Sequence, residues 1–201
     1  MRGDVGLTRA IATELLELTD VHGLPQPRTH AFSYVGWAMV RAGETAEGLA
    51  RLAEAERQLF ALGAVVHATF VLGLRADGLL IAGDYTSGLE QIDRALAMAG
   101  EGGELVYLPQ LHSIRAGLLV KLGGVSDPEA EASLQKALAI ARQTDAKGFE
   151  LVAATALARL WAEQGRRAQA QELLAPIYGW FTEGFDTPDL VEAKALLDEL
   201  S

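Results

Sequence analysis

The 201-residue chain contains no cysteine. That excludes disulfide staples, thiolate metal sites and cysteine nucleophiles, and it fits a reducing compartment. Aromatic residues make up only 6% of the chain, so a core must be assembled from close aliphatic contacts and not from large rings. Runs of β-branched residues bounded by turn signals are missing, which argues against strands. No stretch approaches the roughly 18 to 20 uninterrupted apolar residues of a membrane span. Acids within MRGDVGLTRAIATELLELTD likewise interrupt anything like the apolar region of a signal peptide. Lysine and arginine never form a run, and 17 of them against 27 acidic residues give a formal charge of −10. A nucleic-acid backbone or an anionic membrane surface is therefore a poor partner. The cytoplasm is the expected location.

What the chain does have is alanine and leucine, both strong helix formers, within a composition that is 50% hydrophobic. Apolar residues spaced three and four apart, punctuated by Gly, Pro and Asp, predict about ten helices. They fall near 7–22, 27–42, 45–62, 64–82, 85–100, 104–122, 128–145, 147–164, 167–180 and 188–200. Four glycines, Gly43, Gly83, Gly123 and Gly165, lie 40, 40 and 42 residues apart, each between two such stretches. A left-handed turn that ends a helix and reverses the chain costs glycine least, which gives each a local reason. The period itself is the mark of stacked helix pairs, since a pair cannot bury its apolar face alone. The expected fold is all-α, an α-solenoid of antiparallel pairs forming one domain over 1–201. Its units lie near 27–63, 64–101, 104–146 and 147–181, and a helix at 188–200 caps them.

Aligned on these turns, the first unit places Phe32, Val35, Gly36 and Met39 on its first helix and Gly48, Leu52 and Ala55 on its second. The next gives Leu72, Arg75, Ala76 and Leu79, then Gly88, Ile92 and Ala95; the last gives Ala154, Leu157, Ala158 and Trp161, then Ala170, Leu174 and Ile177. Small residues recur where helices must approach and large ones where the gap must be filled. The pattern resembles the tetratricopeptide repeat. It departs from that family in its period of 40 to 42 against 34, in Met39, Leu79 or Leu119 at a position usually aromatic, and in the scarcity of the closing proline. The third unit is the least regular. There Gly123-Gly124-Val125-Ser126-Asp127-Pro128 lengthens the turn, with Asp127 or Ser126 as N-cap. Pro109 is expected in the first turn of its helix.

The helix at 7–22 reads as the second member of a pair without its first. Ile11, Leu15 and Leu18 then lie on an apolar face partly uncovered, which fits either the C-terminal part of a longer protein or an interface, such as a homodimer through this helix. At the other end, Gly184, Asp186 or Thr187 and Pro188 introduce a last helix with Leu190, Ala193, Leu197 and Leu200 on one stripe. The stretches LARLWAEQGRRAQA and APIYGWFTEGFDTPDLVEAKALLDEL resemble the extreme C-terminus of bacterial multidomain proteins. Those carry a class III adenylate/guanylate cyclase domain, an AAA-type signalling ATPase domain and tetratricopeptide-like repeats. The resemblance covers the repeat region alone and implies a sensor or regulatory part of such a protein. The chain has no P-loop GxxxxGK[ST] and nothing that matches a cyclase metal site.

No catalytic constellation, cofactor site or metal site emerges. His22, His30, His67 and His112 are too scattered for zinc spacing. Gly100-Glu101-Gly102-Gly103 follows a helix, not a strand, and reads as an interhelical turn. Glu163 beside Arg166 and Arg167 reads as a solvated face. The reading is a non-enzymatic scaffold. In tetratricopeptide-like stacks the first helix of each pair lines the inner face, which singles out His30, Tyr34, Trp37 and Arg41, then Phe70, Leu74, Asp77 and Leu80. Further along, the same face holds Gln110, Ser113 and Lys121, then Arg159 and Glu163. Tyr34 and Trp37 offer large contact area with a polar handle, though Trp37 equally suits a place between repeats; Trp161 and Trp180 are expected in the core. Ser33 and Trp37 stand where some tetratricopeptide domains carry carboxylate-clamping residues, so a peptide of apolar or mixed charge, or a neighbouring domain, fits better than a chaperone tail. A small-molecule effector near Trp37, Arg41 and Asp77 is the competing expectation.

Overall fold

Ten helices make up the described part of the computed structural model, residues 4–102 and 105–201, and no strand occurs among these residues. They are α1 (Val5–His22), α2 (Pro25–Arg41), α3 (Thr45–Ala61), α4 (Val65–Ala82), α5 (Tyr85–Gly102), α6 (Leu108–Gly123), α7 (Pro128–Gln143), α8 (Lys147–Glu163), α9 (Arg167–Tyr178) and α10 (Pro188–Leu200). Two differences from the sequence pattern concern one junction. Gly100 to Gly102 continue α5 and do not form a turn, and α6 begins at Leu108 with Pro109 in its first turn. Gly103 and Glu104, placed by the sequence at the break and the start of a helix, lie outside the described residues.

Six helices, α1–α4, α7 and α8, end on a common device. Gly23, Gly43, Gly63, Gly83 and Gly165 have φ between 63° and 92°, and Asp145 takes the same left-handed conformation at φ 50°. Each is followed by a residue whose N–H reaches back to the last turn of the helix. Leu24 donates to the Thr19 carbonyl at 3.0 Å, Glu44 to Met39 at 2.9 Å, Ala64 to Leu59 at 3.0 Å and Asp84 to Leu79 at 3.0 Å. Ala146 and Arg166 do the same to Ala141 and Trp161, at 2.9 and 2.7 Å. This satisfies carbonyls that a helix end leaves open. The left-handed glycines at 23, 43, 63 and 83 therefore recur every 20 residues along α1–α4, half the period read from the sequence. After α6 the positive-φ residue is Gly124, with φ 84° and ψ 176°, and not Gly123, which closes the helix itself. Asp127 then caps α7, its side chain accepting from Glu129 N–H at 2.8 Å.

The helices fall into two compact units, α1–α5 and α6–α10. In the first, α2 packs on α3 and α4 on α5, while α1 lies on α2, α3 on α4 and α2 on α4. In the second, α6 packs on α7, α8 on α9, α7 on α8 and α6 on α8, and α10 covers α8 and α9. Leu190, Ala193, Leu196 and Leu200 form the buried stripe of α10, with Leu196 in the place assigned to Leu197.

Close approach is built into the first unit. A Cβ on Gly48 of α3 would stand 2.6 Å from the Gly36 carbonyl oxygen and 2.8 Å from the Val40 nitrogen of α2. Backbone atoms cannot step aside as a flexible side chain can. Nearby, the buried Glu56 of α3 is held at 2.6 Å by both Arg75 of α4 and Arg94 of α5, with Gln91 donating at 3.1 Å. Arg94 also stacks over Phe60. Three helices thus share one carboxylate, whose loss would strand two guanidinium groups.

Gly48→Ala is expected to lower the unfolding free energy by about 2 kcal/mol despite the better helix propensity of alanine, because overpacking a helix contact costs roughly 1–3 kcal/mol. Asp145→Gly should raise it by about 0.5–1 kcal/mol, since glycine adopts the left-handed region without the Cβ penalty. Urea denaturation of both variants checks the opposite signs.

Candidate functional site

The first helices of the pairs are α2 and α4 in the first unit, and α6 and α8 in the second. On α2 and α4 the repeat register brings His30 to Phe70, Tyr34 to Leu74, Trp37 to Asp77 and Arg41 to Ile81. These positions close on themselves. Trp37 is 2% exposed, and its Nε1–H donates to Asp77 Oδ2 at 2.9 Å. Arg41 donates to the same oxygen at 2.6 Å and lays its guanidinium over the Trp37 ring, 5.3 Å from the centroid. Tyr34 is half-buried, its ring 5.4 Å from that of Phe70.

Three candidate contact residues are therefore corrected. Trp37, Phe70 and Leu74 are core, because each is buried where α2 and α4 pack and does not stand on an open face. Asp77 is half-buried, with Trp37 and Arg41 as its partners, so the three polar groups that converge here satisfy one another. An effector would have to displace those bonds to use them. His30 and Leu80 are half-buried, and Arg41 keeps an exposed edge. The side chain of His67 is not among those described.

The corresponding positions of the second unit are more open. On α6, Gln110, Ser113 and Gly117 are half-buried and Lys121 is exposed; on α8, Val152, Ala156 and Arg159 are half-buried and Glu163 is exposed. The spacings of three and four residues place each set on one stripe. The two helices are both first members of pairs and pack on each other, so the stripes run side by side in the same direction. Arg159 is held at 3.3 Å by Glu192 of α10, and the Ser113 hydroxyl donates to the Pro109 carbonyl at 2.9 Å. The arrangement offers a shallow floor of small and apolar residues, Gly117, Val152 and Ala156, bordered by charge of both signs. These three escaped the sequence reading for two reasons. Gly117 brings no side chain to mark a face, and nothing in the run of apolar residues on α8 says which ones the neighbouring helix leaves uncovered.

A second indole is also tied, on another side of α8. Trp161 Nε1–H donates to Glu131 of α7 at 2.8 Å, and Arg166 pairs with Glu131 at 2.9 Å while covering the Trp161 ring at 4.6 Å. Arg166 thus serves a partly buried tie and not the solvated face with Glu163, while Arg167 bonds the Glu199 carbonyl. Burial opposes ionisation of Glu131, but the hydrogen bonds from Arg166 and Trp161 and the charge of Arg166 hold its carboxyl below the usual range. Glu150 behaves alike, with burial outweighed by Arg142 and Lys147. Trp180, expected in the core, is 58% exposed, edge-on to Phe181 and under Lys147. The turn after α9 carries it out past the packed helix.

His112 is buried on α6 with no hydrogen-bond partner for Nδ1. Burial, with Lys136 and Arg115 adding like charge, pushes its imidazole down from 6.5 to about 4. It folds neutral.

Asp77→Ala should cost roughly 1–3 kcal/mol, the penalty for a buried donor left unpaired, while Trp37→Phe costs less because Asp77 retains Arg41. A double-mutant cycle by urea denaturation is expected to show coupling between the two; additive effects would mean the hydrogen bond contributes nothing. The pH dependence has two windows. A base whose folded pKa is depressed contributes stability that is complete above its unfolded value and lost as pH falls. Stability should therefore decline from pH 6.5 toward about 4 through His112, and His112→Phe should flatten that slope. The lowered Glu131 and Glu150 contribute stability present above 4.5 and lost below it, which the same variant leaves in place.

No family model matches the chain, and no curated protein matches it in sequence. Solved structures do match in fold. BtubC (BKLC) from P. vanneervenii superposes with a TM-score of 0.73 at 15% identity, covering 98% of this chain and 89% of its own. A putative kinesin light chain from Podosopora anserina, with nearly identical TPR-like repeats, gives 0.61 at 17% identity, covering 87% and 85%. At such identity the likeness establishes the fold: an all-α solenoid of tetratricopeptide-like repeats.

Proposed function

We propose that the chain is a non-catalytic interaction scaffold that binds a polypeptide segment or a neighbouring domain along the inner face of α6 and α8. The supporting observation is the pair of parallel stripes on that face. Gly117, Val152 and Ala156 leave a partly open floor, and Lys121, Arg159 and Glu163 supply both charges around it. The absence of bulk on this floor lets a partner's backbone or apolar side chains come close to the helices, and a segment with apolar residues at regular intervals and mixed charge beside them suits it. The first unit serves this reading differently: its Trp37–Asp77–Arg41 tie fixes α2 against α4 and leaves little free surface there. The effector-sensing alternative loses support from the same tie.

A place at the C-terminal end of a signalling ATPase or cyclase architecture is the finer part of the proposal, and it rests on the resemblance of the segment from Glu150 onward. The coding sequence upstream of Met1 tests it, since an adjoining ATPase reading frame is the expected result and an unrelated one removes the idea. No helix among the described residues is long and apolar enough to cross a membrane.

Photo-crosslinking amino acids placed at Lys121 and Ala156, with an exposed position on α7 such as Gln135 as control, test the groove in cells. The expected outcome is a discrete crosslinked partner from both inner positions that the control does not capture. Equal capture from Gln135 would remove the inner face from the binding role.

A further inference from the structure

A broad apolar surface lies open on α1. Leu7, Ile11, Leu15, Leu18 and Val21 are all exposed, Ile11 at 56% and Leu18 at 54%. At about 100° per residue, Leu7, Ile11 and Leu18 share one narrow arc, with Leu15 and Val21 on its shoulders. Ala12, Leu16 and Thr19 point the other way, where Ala12 and Leu16 pack with Val35 and Met39 of α2. A contiguous stripe of this size differs from the single apolar residues scattered over any surface.

The repeat register shows what shape covers such a stripe. Gly23 and Gly63 close α1 and α3 in the same conformation, and aligning them carries Leu15 onto Ala55. Ala55 is fully buried, and Arg51, the counterpart of Ile11, has its Cβ 3.0 Å from where a Cβ on Gly36 of α2 would stand, whereas the counterparts of Leu7 and Val21, Glu47 and Ala61, are exposed. The middle of the α1 stripe, at Ile11 and Leu15, accordingly accommodates one helix running antiparallel to it, as α2 runs to α3.

Charge indicates which helix. Glu14 stands within the stripe and Glu17 on its flank; both are exposed, and neither has an ion-pair partner among the described residues. Arg9 lies on the opposite side, bound to Glu44 at 2.5 Å, and Arg28 neutralises Asp20 at 2.5 Å. His22 is exposed at the end of the helix. A second copy of α1 would pair antiparallel about the middle of the Leu7 to Val21 stripe, which is Glu14 itself, bringing like charges together. We propose that α1 is the docking face for an amphipathic helix of another polypeptide, apolar along one stripe and carrying lysine or arginine along one flank. This surface belongs to the first unit and the α6/α8 face to the second, so neither reading depends on the other.

The test uses the full chain and two labelled synthetic helical peptides of identical leucine stripe, one with lysines on a flank and one with glutamates there. Fluorescence anisotropy should show the lysine peptide binding at least about tenfold more tightly, with the preference falling as salt rises. Glu14→Lys/Glu17→Lys, which touches no buried residue, should reverse the preference. Ile11→Ser/Leu18→Ser should weaken binding by at least about tenfold, the loss expected when two apolar anchors are truncated, with unchanged melting by circular dichroism. Equal binding of the two peptides, or binding that survives Ile11→Ser/Leu18→Ser, overturns the proposal. So does a dimer in sedimentation equilibrium that this double variant abolishes, which would make the occupant a second copy. Either outcome leaves crosslinking from Lys121 and Ala156 unaffected.

Discussion

A helix that is apolar on more than one side must have more than one neighbour, and the rest of this structure follows from how that demand is met. The second helix of a pair touches its own first helix and the first helix of the next pair, as α3 touches α2 and α4, and α7 touches α6 and α8. The contacts are short, made by alanine and glycine against leucine, so the free energy comes from many small dispersion and burial terms and not from a few large rings. Such a core tolerates little added volume. Gly48 against the Gly36 carbonyl is the extreme, where two backbones meet without side chains between them.

Reversing the chain at short, regular intervals is the second requirement, and it was half legible. The sequence shows glycines at the turn inside each helix pair; Gly23 and Gly63, at junctions before a new pair, turn the chain in the same conformation. They were passed over because they do not fall on the period that the other four define. Asp145 was harder still. No residue-type signal distinguishes an aspartate in a left-handed turn from one on a helix surface, and only the bond from Ala146 to Ala141 identifies it as the counterpart of the glycines. The helices themselves were readable to within a few residues because spacing, cap and breaker agreed at nearly every end.

The candidate contact surface was far less legible. The first helix of each pair can be located from the register, but whether a residue on it is free depends on where its partners lie. Trp37 finds Asp77 and Arg41 and becomes part of the frame; Trp161 finds Glu131 and Arg166 and does likewise. In both, an indole N–H is satisfied by a carboxylate that a guanidinium also holds, and the guanidinium covers the ring. Aromatic area and a polar handle, the properties that mark a binding hot spot, are the same properties that suit a buried tie between helices. Residue type does not separate the two uses, because the deciding quantity is the location of the acceptor. Gly117 shows the converse: a position that opens a face by having no side chain leaves no mark in a pattern read from side chains.

The two terminal helices show how one demand yields opposite surfaces. α10 packs on both α8 and α9, buries Leu190, Ala193, Leu196 and Leu200, and pairs Lys194 with Asp198 on its water side. α1 fully buries only the small residues Ala12 and Thr19 at its inner contact and holds Ile11, Leu15 and Leu18 on the open side. Bulk facing outward beside acids that no described cation neutralises is the pattern on which the proposed docking face of α1 rests.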